Sequence, residues 1–146
     1  MCHNADVLAL LVSTYELGRQ PFGLASPAAW LRRDGVDVRM VDLAKEKLPI
    51  DQVRQADLIA IHLPMHTATR LAVPAIEKMR SINPTARLCA YGLYAPLNAD
   101  WLRGLGVDDV LGGEFEGELA GIAREVAVRA VGTEAGPQDP PYETRA

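Results

Sequence analysis

Any chemistry in this chain of 146 residues would have to come from a few side chains. Two histidines stand four positions apart in Ile61-His62-Leu63-Pro64-Met65-His66-Thr67. On one helical face they could share a metal, but Pro64 breaks a helix through them and no third ligand has suitable spacing. Two readings of this loop stay open: Thr67 caps the next helix while His62 hydrogen-bonds locally, or one imidazole faces a bound cofactor and tunes it. The run Gly112-Gly113-Glu114-Phe115-Glu116-Gly117-Glu118 offers carboxylates. At a helix N-terminus such acids are stabilised as anions, which suits them poorly to a raised pKa. The paired glycines admit either a tight turn into the helix or the close approach of something bulky. Cys2 and Cys89 form neither a disulfide framework nor a metal knuckle, and Cys89 sits in an apolar run that reads as core. No nucleophile, base and orienting group fall together, so catalysis by this chain alone is not expected.

The elements that must position these loops alternate. Val7–Val12, Val36–Val41, Leu58–Ile61, Leu88–Tyr91 and Val110-Leu111 read as strands. Pro27–Arg33, after a first turn at Ala25-Ser26, Thr67–Ile82, Asn98–Leu105 with an Asn cap, and Glu114–Val131 read as helices. That alternation predicts a three-layer α/β domain with a five-stranded parallel sheet. The first, third and fourth strands are continuously apolar, as interior strands are, whereas the second alternates and the fifth is short. This predicts the flavodoxin-like, Rossmann-like order 2-1-3-4-5. Ligands of such sheets lie beyond the carboxyl ends of the strands, which singles out the loops Ser13–Gly23, His62–Thr67, Gly92–Leu97 and Gly112–Glu116. Residues 1–131 are expected to form the domain and 132–146, rich in breakers, a linker or disordered tail.

Composition narrows the partners. The chain is 49% apolar and 23% charged with net charge −4, and its basic residues are scattered, so nucleic acid is not expected. It has neither a membrane-length apolar segment nor a basic leader, which makes a cytoplasmic location the expectation. The first loop, Ser13 to Gly23, is long and carries no G-x-G-x-x-G or Walker lysine, which disfavours dinucleotides and nucleoside triphosphates. A phosphorylated receiver would want an aspartate ending the third strand, where His62 stands. Ser13-Thr14 could accept a flavin phosphate, so a flavodoxin-type flavin site is a lesser alternative.

Four ordered segments carry a resemblance: Gln20-Pro21-Phe22-Gly23-Leu24 running on to Val38, Ala56–Ile61, Ile82-Asn83-Pro84, and Val107–Glu116 with its Gly-Glu-x-Glu ending. Over about residues 6–127 they resemble the cobalamin-binding domain of cobalamin-dependent radical SAM proteins. Ser13–Gly18, Leu63–Arg70 and Tyr91–Asn98 are most similar to the subgroup named for its CUAEP or CCAEP tail, and that tail is absent. The resemblance implies a corrin over the carboxyl ends of the strands, with its nucleotide tail buried beside the first and third. It implies cofactor-binding roles for Ser13, Thr14, Tyr15, Gly23, Leu24, His62, Pro64, His66, Thr67, Tyr91, Gly92, Tyr94, Gly113 and Glu114. Gly23 and Leu24 would allow close approach, His62–Thr67 and Gly92–Ala95 would surround the tail and corrin edge, and Gly113 and Glu114 would lie near the nucleotide end.

The chain departs from the family at two places: its S-x-L appears as His62-Leu63-Pro64 and its glycine pair as Tyr91-Gly92. No D-x-H-x-x-G follows the first strand, so no lower histidine ligand to cobalt is implied. The C-x-x-x-C-x-x-C of a radical SAM cluster is also absent, so the iron–sulfur cluster and S-adenosylmethionine would belong to a separate C-terminal domain, acting in cis or in trans. The expectation is a domain that presents cobalamin to that partner, and the breaker-rich end favours an N-terminal piece over a stand-alone module. The alternative is a degenerate, cofactor-free protein-interaction module whose old pocket is packed by Tyr15, Tyr91, Tyr94 and Trp101.

Overall fold

A computed structural model describes residues 7–15 and 22–134; the segment 16–21, Cys2 and the tail from 135 lie outside the described residues. Five strands, β1 (Leu8–Ser13), β2 (Asp37–Asp42), β3 (Leu58–His62), β4 (Arg87–Tyr91) and β5 (Asp109–Leu111), form one parallel sheet in the order β2-β1-β3-β4-β5. The helices are α1 (Phe22–Arg33), α2 (Ile50–Gln55), α3 (His66–Ile82), α4 (Ala99–Gly104) and α5 (Phe115–Glu134). The period-2 alternation of a strand divides the core in two. Ala9, Leu11, Leu58, Ala60, Cys89 and Tyr91 pack toward α1 and α5, while Leu10, Val12, Ile59, Ile61, Leu88 and Ala90 pack toward α2, α3 and α4. β3 is buried along its whole length, whereas the edge strand β2 buries only Val38 and Val41, one toward each core layer, and does not alternate strictly as its sequence suggests.

Several boundaries differ from expectation for local reasons. α1 begins at Phe22 and contains Pro27, rather than beginning there. α3 begins at His66, with Met65 in the cap position, so Thr67 is not the cap. Asn98 holds the cap position of α4 as expected but makes no side-chain cap bond: its amide donates to the Tyr94 carbonyl at 2.9 Å, and a 3-10 turn over Pro96–Asn98 leads into α4. α2, which no strong periodicity announces, fills the β2–β3 connection and buries Val53. α5 continues to Glu134, three residues into the stretch expected as linker.

At the amino edge of the sheet, Asn83 does more than end α3. Its buried amide donates to the carbonyls of Val53, at 2.8 Å, and Ala56, at 2.9 Å, while its oxygen accepts from the Ala86 backbone at 3.1 Å. One side chain thus ties the end of α2 to the start of β4. Asn83→Ala takes the side-chain donor from the Ala56 carbonyl and the acceptor from the Ala86 N–H, while the Val53 carbonyl keeps the Ala56 N–H at 3.3 Å; buried polar groups that lose a partner in this way cost about 1–3 kcal/mol. Urea denaturation is expected to show a loss of that size, with the native circular dichroism retained.

Candidate functional site

The carboxyl ends of β1, β3 and β4 meet the first turns of α1 and α5 at a cluster of rings. His62, the last residue of β3, and Tyr91, the last of β4, are register partners and point to the same face of the sheet. Their ring centroids are 5.0 Å apart at an interplanar angle of 29°. Phe115, at the start of α5, completes a triangle at 4.6 Å from Tyr91 and 6.4 Å from His62. Such offset and tilted arrangements are favourable beyond the area they bury. Tyr91 is fully buried, and its hydroxyl donates to the Gly23 carbonyl at 2.7 Å.

That hydrogen bond has a cause in the sequence. In a helix the carbonyl of residue i accepts from the N–H of residue i+4, and for Gly23 that residue is Pro27, which has no N–H. The Tyr91 hydroxyl supplies the missing donor across the layer. Gly23 is required for a different reason: a β-carbon there would run into the His62 imidazole. Gly92, next after Tyr91, has φ +123°, and a β-carbon on it would stand 2.8 Å from the Leu63 carbonyl oxygen, so backbone conformation and space both demand glycine.

The other predicted residues separate into those held in the frame and those on the rim. Ser13 is buried beside His62 in the β1–β3 register. The buried Thr14 hydroxyl donates to the Ala68 carbonyl of α3 at 2.8 Å. Leu24 is core. Tyr94 packs against the opposite core layer, and its N–H donates to the Leu63 carbonyl. Tyr15 and Pro64 are half-buried, and His66, Thr67, Gly113 and Glu114 are exposed. His66 on the rim and His62 in the ring cluster therefore occupy different environments, and among the described residues no group of three metal-ligating side chains gathers. Gly113 takes φ +61° in the turn before α5, and the group close to Gly112 is the chain's own Pro96. Leu93 and Leu97, on the β4–α4 loop, are 74% and 75% exposed. Phe115 and Pro27 were not singled out by sequence; the offset of four between Gly23 and Pro27 is the pattern that exposes the second.

At the carboxyl ends of β3 and β4 the rings of His62, Tyr91 and Phe115 pack against one another, so a nucleotide tail of the kind the resemblance implies would have to displace them to lie there. Trp101, expected to help pack such a pocket, is instead 45% exposed.

No protein-family model and no curated protein matches the sequence. Among solved structures the chain is similar to a protein described as pilus assembly-related from Burkholderia pseudomallei, at 19% identity, TM-score 0.64, and coverage of 88% of this chain and 94% of that one. It is also similar to a response regulator from Burkholderia pseudomallei with a phosphorylated aspartic acid, at 21% identity and TM-score 0.59, covering 90% and 76%. A flavodoxin from the Archaea follows at 14% identity and TM-score 0.50, covering 84% and 98%. At these identities the likeness is one of fold: a three-layer, flavodoxin-like α/β domain. Among the described residues no helix is long and apolar enough to cross a membrane.

Two outcomes follow from the ring cluster. Burial lowers the His62 pKa from 6.5 to about 4. The unfolded chain therefore takes up a proton at this site before the folded one does, and the site's stability, full above pH 6.5, is lost as pH falls toward 4. The shift corresponds to about 3 kcal/mol. His62→Phe is expected to flatten the fall in unfolding free energy between pH 7 and 4 relative to the unaltered chain. Tyr91→Phe is expected to cost about 1 kcal/mol by removing the donor from the half-buried Gly23 carbonyl. In a Pro27→Ala background, where residue 27 regains its N–H, the same change costs less, and a double-mutant cycle reads the difference.

Proposed function

We propose that this chain is a binding module without a cofactor of its own. It has the form of a cobalamin-binding domain whose nucleotide slot is closed by the chain's side chains, and it acts through its carboxyl edge on a protein partner, the radical SAM domain that the resemblance implies, in cis or in trans. The carrying observation is Tyr91, fully buried, stacked on His62 and hydrogen-bonded to Gly23 where the family has glycine. The exposed Leu93 and Leu97 support the role of that edge in contact with a partner, since aliphatic side chains so placed gain from being covered. Its cysteines, Cys2 and Cys89, do not make a cluster motif, so iron–sulfur and S-adenosylmethionine chemistry would belong to the partner. The flavin reading is weakened because Thr14 commits its hydroxyl to Ala68, and the receiver reading because β3 ends in His62 rather than aspartate.

A second reading, that the edge holds cobalamin and presents it to the partner, draws on the tight backbone at Gly92 beside the apolar Leu93. It requires the nucleotide tail to stay outside the slot or Tyr91 to leave it. Incubation with hydroxocobalamin followed by desalting separates the two. A colourless protein peak is expected. A stoichiometric corrin spectrum of base-off form would overturn the cofactor-free reading and establish the second.

A further inference from the structure

The surroundings of Tyr91 have the features of a receptor with its occupant attached. Two aromatic walls, His62 at 5.0 Å and Phe115 at 4.6 Å between centroids, face the phenol. A backbone carbonyl, that of Gly23, lies 2.7 Å from its hydroxyl and is kept from its helical partner by Pro27. Gly23 leaves room for the His62 wall, where a β-carbon would collide with the imidazole, and Gly92 lets the chain turn against the Leu63 carbonyl directly after Tyr91. A tyrosine packed only for bulk needs apolar neighbours. It does not need a helix whose own sequence withholds a donor from the carbonyl at its tip.

We infer that this slot is a self-occupied ring site. Its ligand class is a flat aromatic ring bearing one O–H or N–H donor, a phenol or a heterocycle with a ring N–H, and Tyr91 fills it from within the chain. The donor satisfies the Gly23 carbonyl, and the ring replaces the phenol against His62 and Phe115. This rests on the closed-slot reading above and gives it a chemical specificity.

Tyr91→Gly in the full chain, probed with p-cresol, the tyrosine side chain as a free molecule, tests it. Saturating p-cresol is expected to raise the variant's melting temperature by about 5 °C and to leave the unaltered chain unmoved. Toluene, of the same shape without the donor, should give a smaller shift, and adding Pro27→Ala should remove the advantage of p-cresol over toluene. A folded Tyr91→Gly variant that p-cresol does not stabilise overturns the site. Should that variant not fold, Tyr91→Phe and Tyr91→Leu decide: a ring site keeps a higher melting temperature with Phe than with Leu, and equal values overturn it. Hydroxocobalamin retained by the unaltered chain would sink the cofactor-free reading, whereas p-cresol failing on Tyr91→Gly sinks only the ring site.

Discussion

A parallel sheet covered on both faces has no free surface except its ends, and every group at those ends competes for the same space. β1, β3 and β4 are buried from both sides by helices, so whatever lies beyond their carboxyl ends must share room with the side chains that close the strands. In this chain the competition is settled by size. His62 and Tyr91 terminate neighbouring strands on the same face, and together with Phe115 they use the volume that smaller residues would leave open. Gly23 is then a consequence, since a β-carbon there would meet the His62 ring, while Gly92 answers to the turn itself, where φ is +123° and the Leu63 carbonyl leaves no room.

Strand number, order and burial were legible because they follow from runs of apolar residues whose length and continuity differ between edge and centre. The weaker elements were not. α2 spans only Ile50–Gln55 and buries a single residue, Val53, too little for a period to register. The cap of α3 is Met65 rather than Thr67, and Asn98 does stand at the cap position of α4 but its side chain is drawn to Tyr94 instead of to the helix. α1 was placed late because proline is common in a first turn, whereas here Pro27 lies inside the helix. Of the candidate site, the identities of His62, Tyr91, Gly23 and Gly92 were visible, but their convergence with Phe115 was not, since it depends on two helices and two strands meeting in space.

The solved structures that share this fold differ in kind, one pilus assembly-related, one a response regulator, one a flavodoxin. A common sheet order fixes where a ligand or partner must approach and leaves open which one it is. In this chain the strand ends carry an imidazole at the close of β3, a threonine hydroxyl bound to the Ala68 carbonyl just after β1, and a phenol at the close of β4.

The pairing of Pro27 with Tyr91 also sets a direction for sequence drift. A lineage that exchanged the proline first would give the Gly23 carbonyl a donor within its own helix, after which the tyrosine could be replaced at the expense of packing alone. A lineage that lost the tyrosine first would carry a stranded carbonyl until something else answered it. The two histories end at the same pair of residues through intermediates of unequal stability, although the two positions lie 64 residues apart in sequence.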